Sequence, residues 1–471
     1  MSTHSSPPGN DNLAQGFKQR HVTMLSIAGI IGAGLFIGSG HAIAAAGPSA
    51  IIAYALAGLL VVMVMRMLGE MAIASPDTGS FSTYADKAIG PWAGFTIGWL
   101  YWWFWVLVIP LEAIAAGVVL NTWFPGVETW VFALATIAVL TVTNLFSVAK
   151  YGEFEFWFAM LKVIAIVAFI VLGACALLGL LPGREVSGVT RLVADYGGFM
   201  PNGWEAVIGA LLTTMFSFVG TEAVTIAAAE SKDPARNIAK ATKSVIWRIC
   251  LFYICSIFVI ISVVPWNDAL LPVQGSYQRA LEIMHIPTAK TLVDLVVLVA
   301  VASCLNSAIY ISSRMVYSLS KRCEAPSFLQ RTSKVGVPRA AVIASTAIGL
   351  MTTALNFFAP SAVFAFLLAS SGAIALLVYL VIAVSQLRMR SQLHKDNAQI
   401  KFKMWLFPWL TWLVIVFIVF ALGVMLVMPA HRSEVMATGG LTLGIVLLGI
   451  FNARGHGQKV QGVAGGHKVP V

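Results

Sequence analysis

The sequence predicts an all-α polytopic membrane protein with twelve transmembrane helices. Hydrophobic residues make up 59% of the 471 positions and charged residues only 11%, whereas soluble domains average roughly 45–50% and 25%. Twelve apolar runs approach or exceed the roughly 20 residues that a spanning helix needs. Two of these runs contain glycines at their centres, which predicts that their helices are broken there.

We number the spans 1 to 12 along the chain. The first follows a polar segment with Lys18 and Arg20 but no small-residue cleavage site, so it is interpreted as a retained helix rather than a signal peptide. The predicted spans cover residues about 22–45, 48–73, 92–119, 128–148, 155–181, 204–229, 244–265, 287–315, 338–358, 361–386, 405–428 and 435–453.

Two short tails flank one membrane domain. Residues 1–20 and 454–471 lack any apolar period, and we expect both tails to be disordered. Residues 21–453 form a single transmembrane domain with no soluble insertion.

The positions of the two interrupted spans predict an internal repeat. Spans 1–5 (about 22–181) and spans 6–10 (about 204–386) each begin with an interrupted span. Because five is odd, the second set enters the membrane from the opposite side, which predicts a 5+5 inverted repeat. Spans 11 and 12 (about 405–453) lie outside the repeat.

The positive charges predict the orientation in the membrane. The net charge is +10, and with the N terminus inside, most of the 30 Lys and Arg residues fall in cytoplasmic loops and tails. This asymmetry places both termini in the cytoplasm, and it argues against a nucleic-acid partner. Lys162 falls within a span, and the residues that fall outside are Arg184, Arg191, Arg279, Lys290 and Arg432.

The sequence contains no pattern for a metal or for catalysis. The five cysteines and eight histidines form no CxxC, HxxxH or HExxH pattern, so neither a metal site nor a disulfide framework is predicted. We expect no cofactor, and because the spans contain no nucleophile–base pair, we do not expect an enzyme.

The break in span 1 is a candidate binding site. It contains Ile31, Gly32, Ala33 and Gly34. A broken helix frees N–H groups at the start of one half, which suit a carboxylate, and C=O groups at the end of the other, which suit an ammonium. These four residues are therefore candidates to bind a zwitterionic amino acid, although glycines in spans also serve as helix-packing contacts.

The break in span 6 has a matching composition. Gly220 allows the backbone to approach a ligand, while Phe216 and Phe218 can flank its carbon chain. Ser217 is small enough to leave room between the two charged ends of a ligand. Such a pair of interrupted spans in corresponding positions points to the binding site of a secondary transporter.

Three charged residues within spans are candidates for proton coupling. Charges in hydrocarbon are costly and are functional hypotheses by default. Lys162 in span 5 can fill a cation site and exchange a proton, or its ammonium can reach back to the inner interface. Glu112 in span 3 and Glu222 beside the second break can carry a proton or have a structural role.

A long signature follows the first span. It consists of Gly47-Pro48, Gly69-Glu70, Pro76-Asp77-Thr78-Gly79-Ser80-Phe81, Tyr84 and Gly94-Phe95-Thr96-Ile97-Gly98-Trp99-Leu100-Tyr101. Together with the two breaks, it resembles the amino acid permeases of the amino acid–polyamine–organocation superfamily. The segments 98–112, 151–157 and 371–380 resemble most the γ-aminobutyrate (4-aminobutyrate) permeases.

The resemblance implies a LeuT-like fold in the bacterial cell inner membrane and import of 4-aminobutyrate with protons. In relatives, a lysine at the position of Lys162 takes the place of a sodium ion. The expected partners are therefore a zwitterionic amino acid, protons and the lipid bilayer. An antiporter that exchanges an amino acid for an amine, or a nutrient sensor that does not transport, is the alternative.

Overall fold

The described part of the chain is all-helical and contains no strand, which agrees with the predicted class. The computed structural model describes residues 20, 24, 31–75, 77, 80–146, 148–181, 188–194, 197–225, 233–334, 336–355, 360–395 and 402–464.

The membrane helices are numbered so that each corresponds to the predicted span of the same number. They are Ser39–Ala46 (α1), Ala50–Ala74 (α2), Pro91–Trp123 (α3), Thr129–Asn144 (α4), Val148–Leu177 (α5), Gly203–Phe218 (α6), Pro234–Arg248 with Cys255–Val263 (α7), Pro287–Lys321 (α8), Arg339–Leu355 (α9), Pro360–Lys395 (α10), Trp409–Val427 (α11) and Pro429–Ala464 (α12).

Within these described ranges, nine helical segments are long and apolar enough to cross a membrane. The first of them, Gly34–Ala74, contains both α1 and α2, which a short 3₁₀ turn at Gly47–Ser49 separates. The predicted spans 4 and 9 correspond to shorter apolar helices, Thr129–Asn144 and Arg339–Ala354. The total of twelve spans and the repeat therefore stay predictions.

At both predicted interruptions, the described backbone departs from the α-helix. Ile31 and Gly32 lie outside any helix, and a π-helical turn at Gly34–Gly38 leads into α1. α6 ends at Phe218, where Val219 becomes extended with φ −64° and ψ 147°. Residues 22–30, apart from Met24, and 226–229 belong to the predicted spans 1 and 6 but lie outside the described residues.

The helices that carry the two acidic candidates are the most enclosed by protein. In the span containing α6, 89% of the most apolar window is buried, and in α3 the share is 83%. The corresponding share is 28% for α5 and α11 and 11% for α12. The protein interior therefore forms around α3 and α6, while α5 turns one face inward and the rest outward.

The end of the chain differs from the expectation. The sequence predicts a disordered tail from residue 454, whereas α12 continues to Ala464. No proline interrupts this segment. Once a helix exists, each added residue gains a hydrogen bond without a new nucleation cost, and the helix extends past its apolar part.

The contact between α6 and α10 predicts a sensitive glycine. A Cβ at Gly372 of α10 would overlap the carbonyl oxygen of Leu212 in α6, whereas Gly423 of α11 has open space. We expect Gly372→Ala to destabilise the fold by about 1–3 kcal/mol and to lower the melting temperature in detergent. Gly423→Ala is the matched control; equal melting temperatures for the two variants would contradict this packing.

Candidate functional site

We call the helices of spans 1 and 6 helix 1 and helix 6. The break in helix 1 leaves two backbone groups whose partners come from other parts of the protein. The N–H groups of Leu35 and Phe36 both donate to the carbonyl of Gly32, at 3.2 and 3.4 Å. The carbonyl of Ile31 and the N–H of Ala33 instead face side chains from other helices. The break therefore presents one acceptor and one donor side by side, as the sequence predicts.

Glu112 of α3 accepts hydrogen bonds from the free N–H group of the break. The Ala33 N–H donates to both carboxylate oxygens, 3.1 Å from Oε1 and 2.9 Å from Oε2. The Glu112 side chain is buried. The carboxylate lies at the N-terminal end of the helical segment that begins at Gly34. The N-terminal end of a helix attracts negative charge. A carboxylate from the protein thus occupies the position that suits a ligand's carboxylate.

Lys162 of α5 donates a hydrogen bond to the free carbonyl group of the break. Its Nζ donates to the Ile31 carbonyl at 3.1 Å and to Ser303 Oγ of α8 at 2.9 Å, and the residue is fully buried. Its side chain therefore does not reach back to the membrane interface. Lys162 and Glu112 pair with the two ends of the same break, so α3, α5 and α8 all meet helix 1 here.

The Gly32 backbone makes this close approach possible. A Cβ at this position would lie 2.5 Å from Glu112 Oε1 and 2.7 Å from the Cβ of Cys304. Real side chains avoid such distances, so any larger residue would displace the Glu112 carboxylate from the Ala33 N–H.

Glu222 braces the break in helix 6. Its Oε1 accepts hydrogen bonds from the Gly220 N–H at 2.9 Å and the Tyr101 hydroxyl at 3.0 Å, and its Oε2 accepts one from the Tyr379 hydroxyl at 3.1 Å. Gly220 has φ +97°, a conformation that favours glycine. The carboxylate thus joins the irregular backbone to α3 and α10.

The two breaks touch each other. Ser217 Oγ donates to the Gly34 carbonyl at 2.7 Å, and a Cβ at Gly34 would lie 2.8 Å from the Cα of Ser217. The Tyr253 hydroxyl of α7 donates to the Ser217 carbonyl at 2.7 Å. Small residues at both breaks therefore allow the π-helical turn of span 1 and the last turn of α6 to meet.

A small pocket lies between the breaks and α3. Its volume is about 10 Å³, roughly the space that one water molecule needs, so the site is closed in this conformation. It is lined by Gly32, Gly34, Phe104, Trp105, Val108, Glu112, Phe216, Ser217, Val219 and Cys304.

Not every candidate reaches this pocket. Ile31 and Ala33 contribute backbone groups beside it. Phe216 lines the pocket, but the Phe218 ring packs 4.4 Å from the ring of Tyr253 instead. Gly220 contacts Glu222 rather than the pocket.

Several lining residues were not selected from the sequence. Phe104, Trp105 and Val108 line the pocket together with Glu112, and their spacing of eight, seven and four residues from Glu112 is a signal that could have singled them out of the aromatic run in span 3. Glu155 was also missed. It lies seven residues, or about two helical turns, before Lys162 on α5 and is buried.

This fold and this buried, charged site between two broken helices define a membrane transporter rather than an enzyme. The chain belongs to the amino acid permease family, whose model matches residues 21–456. The family expected from the sequence is therefore confirmed.

Relatives and solved structures agree with this assignment. The chain is 73% identical to a probable GABA permease of Pseudomonas aeruginosa over 94% of each chain. It is 60% identical to a gamma-aminobutyric acid permease of Escherichia coli over 92% of this chain and 93% of the relative. A manganese transporter of Eremococcus coleocola shares the fold, with a TM-score of 0.57 at 14% identity over 95% of this chain and 96% of the other.

The break in helix 1 predicts a second pair of matched glycine variants. Gly32→Ala pushes the Glu112 carboxylate away, so we expect amino acid uptake to fall by about tenfold or more, since overpacking costs about 1–3 kcal/mol. Gly38→Ala on the same segment meets its nearest atom at 3.6 Å and is expected to keep normal uptake. Normal uptake by Gly32→Ala, measured in vesicles, would contradict the assignment of this site.

Proposed function

We propose that the protein imports 4-aminobutyrate, or a closely related zwitterionic amino acid, together with protons by alternating access. The observation that carries the proposal is the pairing of the helix 1 break with a carboxylate and an ammonium of the protein itself. This pairing supports the break as a site for both charges of an amino acid. The names of the relatives at 73% and 60% identity support 4-aminobutyrate as the substrate.

The substrate carboxylate would take over the Ala33 N–H from Glu112. Both groups suit the same position at the start of a helical segment, so binding requires Glu112 to move or to be neutralised by a proton. The aromatic walls Phe104, Trp105 and Phe216 would then contact the carbon chain. Because small-molecule pockets measure roughly 300–1,000 Å³, these walls must separate to admit the substrate.

Lys162 would carry the coupled proton. Its ammonium ties the Ile31 carbonyl to α5 and α8, and a neutral amine would hold this end of the break less tightly. Loss of the proton therefore favours a rearrangement of helix 1. Glu222, which already accepts three hydrogen bonds from neutral donors, is assigned to bracing the second break.

The proposed setting is the bacterial inner membrane, with both termini in the cytoplasm and twelve spans in a 5+5 inverted repeat plus two helices. The asymmetry of Lys and Arg supports this orientation. In such a repeat, alternating access arises when one group of helices rocks against the other around a fixed site. The contact between Gly34 and Ser217 lies at that site.

The first test is accumulation of labelled 4-aminobutyrate in vesicles containing the purified protein, with and without an inward proton gradient. We expect gradient-driven accumulation by the wild type and its loss in Lys162→Ala, because the coupling group is removed. The exposed Lys240→Ala is the control. If accumulation persists in Lys162→Ala, the coupling role belongs to Glu112 or Glu222 instead. If the wild type shows no uptake, 4-aminobutyrate is not the substrate.

The spacing of the two charges predicts the order of competitors. If fixed groups bind both ends of the substrate, one methylene more or less costs roughly tenfold in discrimination. Unlabelled 4-aminobutyrate is therefore expected to inhibit uptake at lower concentration than β-alanine, 5-aminovalerate or proline. Equal inhibition by all four compounds would show that the site does not discriminate substrates by the distance between their two charges.

A further inference from the structure

One buried carboxylate has no role in the transport cycle described above. Glu155 is fully buried on α5, two helical turns from Lys162. Ser303 Oγ donates to its Oε2 at 2.7 Å, and Asn306 Nδ2 donates to its Oε1 at 3.3 Å. Both partners belong to α8. Ionisable groups buried within transmembrane segments are costly and are functional hypotheses by default.

Ser303 joins Glu155 to Lys162. The serine hydroxyl accepts from Lys162 Nζ at 2.9 Å and at the same time donates to Glu155. The two hydrogen bonds point in one direction, from the ammonium to the carboxylate. Such an arrangement allows a proton to move along it without any movement of the backbone.

Asn306 holds the far side of the carboxylate. Its Oδ1 accepts from Asn144 Nδ2 at 2.6 Å and from Thr143 Oγ1 at 3.3 Å. These contacts with α4 turn the amide nitrogen of Asn306 towards Glu155. Asn306 is therefore a positioning residue: it binds Oε1 of Glu155 and orients the carboxylate so that Oε2 accepts the hydrogen bond from Ser303.

A cavity begins where this network ends. It is an open depression of about 650 Å³ with a mostly apolar lining, and Asn306 and Thr143 lie on its polar side. The apolar lining residues are Leu140, Phe146, Phe154, Trp157 and Phe158. Glu153 also lies on the wall, and it pairs with Arg20 near the N terminus at 2.6 Å. In the proposed topology this is the cytoplasmic end of α5.

We propose that Glu155 accepts the proton that leaves Lys162 and releases it through this cavity to the cytoplasm. The inference rests on the proposed proton symport and assigns the exit path. An N–H bond of the Lys162 ammonium breaks as its proton passes to Ser303 Oγ, and the original hydroxyl proton of Ser303 passes to Glu155 Oε2. A neutral amine, an intact serine and a protonated carboxyl result.

The second step restores the carboxylate. The O–H bond of Glu155 breaks, and the proton passes to cytoplasmic water that enters the cavity beside Asn306. Lys162 then takes a new proton from the outer side in the next cycle. One proton crosses per cycle, and each group returns to its starting state.

The test compares Glu155→Gln with Glu128→Gln in proteoliposomes. Glutamine can accept a hydrogen bond from Ser303 but cannot accept the proton. We expect Glu155→Gln to reduce gradient-driven accumulation of 4-aminobutyrate by about tenfold or more. Exchange of labelled for unlabelled substrate at equal pH needs no proton release and is expected to stay within about twofold of wild type. Glu128→Gln, at an exposed position directly before α4, is expected to be normal in both assays.

A pH-sensitive dye inside the vesicles provides the direct readout. Substrate-driven acidification is expected in the wild type, is expected to be lost in Glu155→Gln, and is expected to return in part in Glu155→Asp, which keeps a proton acceptor. Normal acidification by Glu155→Gln would overturn the inference. Loss of exchange together with accumulation in Glu155→Gln would also overturn it, because Glu155 would then be structural.

Failure of the proposed function itself looks different. A wild type that exchanges 4-aminobutyrate but shows no substrate-driven acidification is not a proton symporter. In that case the proposed exit path is also wrong, because no proton is transported. That outcome is visible before any variant is measured.

Discussion

A helix that stops inside a membrane leaves backbone N–H and C=O groups without partners, and each unpaired group costs several kcal/mol in hydrocarbon. Here the break in helix 1 is stabilised by Glu112 at its free N–H and by Lys162 at its free C=O. Two charges are thereby buried, and each is paired with a backbone dipole as well as with side chains. The positions of α3, α5 and α8 around helix 1 depend on these pairings.

The same requirement explains the small residues at both breaks. Gly32 admits the Glu112 carboxylate, and Gly34 admits the backbone of Ser217. At the second break, the left-handed conformation of Gly220 turns its N–H towards Glu222, which two tyrosines also bind. Polar side chains thus pair with backbone groups at both breaks, while Phe104, Trp105 and Phe216 give the pocket apolar walls.

Much of this arrangement could be predicted from the sequence because its signals are local. Glycines inside an apolar run predict a break, and a lysine in the middle of a span predicts a functional group. The identity of the partners could not be predicted, since Glu112 meets Ala33 across 79 positions and Lys162 meets Ser303 across 141. Glu155 was missed because it lies at the first residue of a predicted span, where a charge usually faces the interface.

The contact between Gly34 and Ser217 limits which residues the two breaks can carry. A larger residue at Gly34 would push the π-helical turn away from the last turn of α6, so this position admits few substitutions. The walls Phe104, Trp105 and Val108 come from an uninterrupted helix, in which one side chain can be exchanged without a shift of the backbone. A substitution on α3 can therefore change the size of the pocket while the contact between the two breaks stays as it is.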